Sequence, residues 1–129
     1  EISTAQEEAI KLLGLTVVSG ESVSATATVK LLIDDKIKET SEIGVGPIDA
    51  AFNAIKSLVE EKININLEAY HLDAITGGTD ALAEVFAITS DNNKNKATGR
   101  ATNDDVIMAS VLAVINSINK IILIKKSID

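Results

Sequence analysis

The sequence predicts an α+β domain: two internally duplicated βββα units, with antiparallel strands packed against two helices and related by a pseudo-twofold. Three observations predict it. Ser24-Ala-Thr-Ala-Thr-Val29 recurs as Asp80-Ala-Leu-Ala-Glu-Val85, and Gly44 recurs as Gly99 with an aspartate five positions on in both copies, Asp49 and Asp104. In each half, runs of two-residue hydrophobic periodicity give way to a single run of helical periodicity. A unit this small cannot bury its own apolar face, so each half needs its twin. The seam between the halves is then the natural place for a ligand.

Residues 1–14 carry Ile2, Ala5, Ala9, Ile10 and Leu13 at mixed helical spacing before Gly14, and read as a linker or the end of a preceding region. Residues 15–129 read as a single domain of two repeats, 15–62 and 63–126. From Leu15 the period is two, and after Gly20 the residues Ala25, Ala27, Val29, Leu31 and Ile33 define one face of a strand. Asp34-Asp35 marks a hairpin turn, and Lys36 to Ile43 returns as a third strand ending in Gly44-Val-Gly-Pro47. Pro47 suits the first position of a helix, where its missing N–H is not needed. Ile48, Ala51, Phe52, Ile55, Leu58 and Val59 then form a buried stripe.

The second half runs in parallel. Strands are expected at Ile65 to Ile75, Ala81 to Thr89 and Lys96 to Ala101, with a turn at Gly77-Gly78-Thr79 and a polar loop from Asp91. A helix follows from about Asp104 to Ile122 or a little further. Its apolar residues Val106, Ile107, Val111, Leu112, Val114, Ile115, Ile118, Ile121 and Ile122 cover more than half its circumference, so it should be buried on two sides. One side is expected to meet the sheet and the other a second chain, giving a homodimer of the commonest symmetric kind.

Composition narrows the function. The 129 residues, 46% hydrophobic, bound one domain with an aliphatic core, since there is no Trp, one Tyr and two Phe. The absence of Cys excludes disulfides and thiolate metal sites. Nineteen acidic against twelve basic residues, without a basic cluster, argue against nucleic acid as a partner. Nothing resembles a signal peptide or a spanning segment, so a soluble cytoplasmic protein without membrane association is expected.

Catalytic and metal residues are expected to be absent. His71, the only histidine, shares a strand face with Asp73 by alternation, which reads as a surface pair. No second histidine exists for a zinc site or a nucleophile relay. Asp104 and Asp105 fall in a helix's first turn, where unpaired N–H groups favour carboxylates; the alternative is that one meets a ligand's ammonium group. Asp49 has the same two readings. Gly44-Val-Gly-Pro47 is the better site candidate, because glycines admit a close approach to the backbone and a helix start offers N–H groups to an anion. A ligand bearing both a carboxylate and an ammonium, as an α-amino acid does, matches this charge pattern.

Three stretches carry a family resemblance: Gly44 through Ile55, Tyr70 through Val85, and Gly99 through Asp105 with Ala109-Ser110. Over about residues 13 to 122 the chain resembles the C-terminal regulatory (allosteric, LeuA-type dimerisation) domain of the 2-isopropylmalate synthase and citramalate synthase family. The resemblance implies two βββα units, a homodimer, and an end-product amino acid bound as feedback inhibitor: leucine for the isopropylmalate branch, isoleucine for the citramalate branch. It implies effector-binding residues at Gly44, Gly46, Pro47, Ile48, Asp49 and Ala50, at Ala74 and Ala81, and at Asp105. Where many members have a second glycine this chain has Ala101, and where many have Thr before the aspartate it has Asp104. The family's catalytic TIM barrel, which condenses acetyl-CoA with a 2-oxo acid on a divalent metal, would be the partner of this domain in a parent transferase. The chain alone is expected to be no enzyme and to need no cofactor.

Overall fold

A computed structural model describes residues 8–75 and 81–128. Three strands, β1 (Ile10–Val18), β2 (Ala25–Ile33) and β3 (Lys36–Gly44), lead into helix α1 (Pro47–Val59). The pattern repeats as β4 (Ile65–Ile75), β5 (Leu82–Asp91), β6 (Lys96–Asn103) and α2 (Val106–Ile128). Each triplet is an antiparallel sheet in chain order, β1-β2-β3 and β4-β5-β6. The expected α+β duplication is therefore present. The turn expected at Gly77-Gly78-Thr79, and Ile2 and Ala5, lie outside the described residues.

Local chemistry accounts for the turns. Asp34 and Asp35 adopt φ of 51° and 66°, the left-handed pair that a tight hairpin requires and that aspartate tolerates. Pro47 opens α1 as expected, with Gly46 extended at the N-cap. Ala25, Ala27, Val29, Leu31 and Ile33 are all buried, the strict alternation of a strand with one covered face.

Two expectations are corrected. First, Ile10, Leu12 and Leu13 belong to β1 rather than to a linker, and a bulge between Leu12 and Gly14 explains why strict alternation is not visible there. An identical irregularity between Leu67 and Ala69 in β4 marks the two strands as counterparts. Second, the repeat register differs. Ala25 pairs with Gly44 and Ala83 with Asn103, and the first helical bonds run from Ala50 N–H to Gly46 O and from Ala109 N–H to Asp105 O. Gly44 thus corresponds to Asn103 and Gly46 to Asp105, whereas Gly99 lies within β6. Helix α2 runs past Ile122, as the sequence allowed, to Ile128, with Lys125 and Lys126 in its last turn, where helix carbonyls favour cations.

The core is shared between the halves. Helix α1 packs on β2 and β3, and α2 packs on β5 and β6 while also touching β1 and α1. Val111, Val114, Ile115, Ile118, Ile121 and Ile122 are consequently buried within one chain. The second side of α2 is thus covered by the first repeat for these residues, and no second chain is needed to bury them. By length and composition α2 would also pass for a membrane span, but most of it is buried in this core.

Helix side chains close the sheet edges. Asn119 clamps β1 from both directions, its Oδ1 accepting from Ile10 N–H and its Nδ2 donating to Ile10 O, each at 2.9 Å. Asn53 donates to Ile43 O on β3, and Asn116 and Lys120 donate to Arg100 O and Thr98 O on β6. Three of the four edge strands therefore carry such a bond.

Candidate functional site

The two helix starts are topological equivalents with different chemistry. At α2, Asp105 caps the helix in the ordinary way: its Oδ1 accepts from Ile107 N–H at 2.8 Å and Met108 N–H at 3.2 Å. Asn103 in turn accepts from Asp105 N–H at 2.9 Å. At α1 the cap position is Gly46, which offers no side-chain cap. A Cβ placed on Gly46 would meet nothing within 4 Å, so the space above this helix start is open.

Asp49 turns back on its own loop, Oδ2 accepting from Val45 N–H at 2.8 Å, which fixes the strand-to-helix turn. Val45 itself is 98% exposed. Gly44 has a packing reason to be glycine: a Cβ there would fall 2.4 Å from Ala50 N. Ala50 is fully buried beneath that contact, while Pro47 and Ile48 are half-buried beside the open cap.

Gly44, Gly46, Pro47, Ile48, Asp49 and Ala50 are thus brought together as one turn. Asp105 stands at the other helix start, and among the described residues no hydrogen bond or ion pair joins it to that turn. Ala81 is exposed just ahead of β5, and Ala74 occupies the β4 position opposite Ala83. Beside these, the structure marks two residues to which no site role was assigned. Tyr70 and Leu72 stand opposite Ala87 and Val85, which are completely buried on the helix-facing side of the sheet, yet both are 45% exposed. The available signal was their two-residue spacing with Ala74 along one strand.

The reverse face of the same sheet carries polar rows. His71 Nε2 and Asp73 Oδ1 lie 3.0 Å apart, with the histidine side chain 71% exposed, as a surface pair would be. Arg100 lies over the Phe86 ring at 4.5 Å and reaches toward Glu84. At the far end of the domain Asp91 organises the β5–β6 hairpin. Its Oδ1 accepts from Asn93 N–H and Asn95 N–H, and its Oδ2 from the Asn95 side chain. Burial pushes this carboxyl up, but those bonds and the charge of Lys125 outweigh it and hold it below the usual carboxylate range.

Comparison with known proteins gives this duplicated βββα domain its family. Residues 1–122 match the family model described as the LeuA allosteric (dimerisation) domain. The chain belongs to that family. It is 46% identical over 117 residues to a 2-isopropylmalate synthase of Methanocaldococcus jannaschii, covering 91% of this chain and 22% of that protein. It is 43% identical over 122 residues to a putative (R)-citramalate synthase of Methanothermobacter thermautotrophicus, covering 95% of this chain and 24% of the relative. A putative (R)-citramalate synthase of Archaeoglobus fulgidus is 46% identical over 114 residues, 88% of this chain and 23% of its own length. The chain spans less than a quarter of the length of these curated relatives.

Proposed function

We propose that this chain is the regulatory domain of a 2-isopropylmalate synthase, binding leucine as feedback inhibitor and self-associating as a homodimer beside a catalytic barrel in the cytoplasm. The observation that carries the reading is the difference between the helix starts. Where α2 has the Asp105 carboxylate bonded to its first N–H groups, α1 has an uncapped glycine under open space. The α-carboxylate of an amino acid supplies the missing group, because a helix N-terminus favours an anion on both hydrogen-bonding and dipole grounds. Ile48, Ala74 on β4 and Ala81 just ahead of β5 are the residues assigned to the aliphatic tail; Asp105, whose Oδ2 has no partner among the described residues, is assigned to the ammonium. Ala50, being buried, supports the turn from beneath rather than touching the ligand.

Isoleucine is the second reading, and the comparable identity to the relatives named as citramalate synthases favours keeping it. The two amino acids differ in one methyl position, a difference worth only about 1–3 kcal/mol in an apolar pocket. Calorimetric titration with leucine, isoleucine and valine tests the proposal. Gly46→Asp is the decisive variant: by installing the carboxylate that α2 already has, it should leave the fold as stable or slightly more so while abolishing effector heat. Full binding by Gly46→Asp, or no heat from the parent chain with any of the three at millimolar concentration, would refute the reading.

A further inference from the structure

The outer edge of β4 is built differently from the other three. Asn119, Asn53, and Asn116 with Lys120 bond the backbones of β1, β3 and β6 respectively. Among the described residues no side chain bonds the backbone of β4, the longest strand of the domain at 11 residues. Its counterpart β1 is covered by the helix of the other repeat, whereas α1 reaches toward β4 through Lys56 Nζ to Asn66 Oδ1 at 3.5 Å. An uncovered edge of this length is a template for a further strand. The 45% exposure of Tyr70 and Leu72, beside β5 residues Val85 and Ala87 that are completely buried on the same face, marks the same edge as unfinished.

We propose that a second copy of this chain completes it, β4 pairing antiparallel with the partner's β4 across a twofold axis at Leu72. The inference rests on the self-association proposed above and adds the surface and the register. A strand that pairs antiparallel with its own copy gives an isologous, closed contact. With Leu72 on the axis, Tyr70 stands opposite position 74 of the partner, a large residue against a small one. On the reverse face His71 meets the partner's Asp73, and Asp73 the partner's His71, so each imidazole gains a second carboxylate neighbour beyond its own Asp73. Glu84 and Arg100 flank this row and pair with each other within the chain. The regular part of β4, after the bulge between Leu67 and Ala69, supplies the strand length this register uses.

The chain has no native cysteine, so a single introduced thiol reports the register. Opposed Cα atoms in an antiparallel pair lie about 4.5–5.5 Å apart, within disulfide range. Leu72→Cys should give a disulfide-linked dimer under mild oxidation, and Ile37→Cys, exposed on the other sheet, should not. His71→Asp should weaken the dimer about tenfold in light scattering by opposing two carboxylates twice, and adding Asp73→His should restore it. A monomeric mass for the parent chain at high micromolar concentration would overturn both this surface and the self-association. A dimeric mass without a Leu72→Cys crosslink, or with His71→Asp dimerising like the parent, would overturn the surface alone. Effector titration is a separate measurement that tests the ligand and not the interface.

Discussion

Gly99 lies in the middle of β6 and, among the described glycines, sits closest beneath a helix backbone. A Cβ added there would sit 2.1 Å from the Ala113 carbonyl oxygen and 2.3 Å from Ser117 N. Both neighbours are helix backbone, which cannot rotate away as a side-chain tip does. Helix α2 would have to lift by roughly 1 Å to reach even the closest ordinary contact, and an interior packed as densely as a crystal resists that. The lift would also strain the buried bond of 2.8 Å between Thr89 Oγ1 and Ser117 Oγ. Overpacking costs about 1–3 kcal/mol in general, and Gly99→Ala is expected at the upper end. At roughly 4 °C per kcal/mol for a domain of this size, the melting temperature should fall by about 10 °C. Gly46→Ala is the matched control, since nothing lies within 4 Å of its added Cβ; it should cost a fraction of that. Thermal denaturation followed by circular dichroism measures both. A Gly99→Ala melting temperature within 2 °C of the parent, on the order of 0.5 kcal/mol, would refute the close-packing argument.

Val114→Asp should act on folding and not on association, because Val114 is buried within one chain; loss of the cooperative melt, with no soluble folded monomer, is the expected result of burying an unpaired charge. Asn119→Ala removes both bonds to Ile10 and should cost about 1–3 kcal/mol in urea unfolding, with faster hydrogen exchange confined first to β1. Asp91 contributes through its charge: with the folded carboxyl held below its unfolded value, that stability is present above about pH 4 and lost as pH falls through the folded value. Asp91→Asn should therefore be less stable than the parent at pH 7, the gap narrowing in acid unfolding; a gap that stays constant with pH would return Asp91 to a purely geometric role.

The duplication, the strand count and both helices were legible because period-two and period-3.6 patterning survive in each half. Pro47 and the Asp34-Asp35 pair gave boundaries for local reasons that no tertiary contact overrides. The register of the repeat was not legible, because short alanine-rich strand segments match one another equally well when shifted by two residues, and such a shift leaves the same faces buried. The glycines compounded this. Gly44 and Gly99 look equivalent in sequence, but one lets a helix start close under a strand end and the other lets a helix axis approach mid-strand. Only pairing partners separate those causes. The breadth of α2 was visible, but its covering was not, since burial by β1 and α1 depends on how the halves dock.

That docking also explains why the candidate site was only half readable. Motif residues located the Gly44–Ala50 turn, yet nothing in one-dimensional spacing distinguishes an open helix start from a self-capped one until the halves are superposed in their true register. Once Gly46 is matched with Asp105, the duplication supplies its own control. The second repeat keeps a carboxylate on its helix N–H groups by covalent attachment, and the first leaves that position vacant beneath open space. The same comparison applied to the strands separates β1, clamped by Asn119, from β4, whose edge carries no such bond among the described residues. In both cases the repeat that lost a satisfying group is the one with a surface to offer. Divergence between once-equivalent halves is therefore where ligand and partner are to be sought, and Gly46 and Leu72 are the two positions that test it.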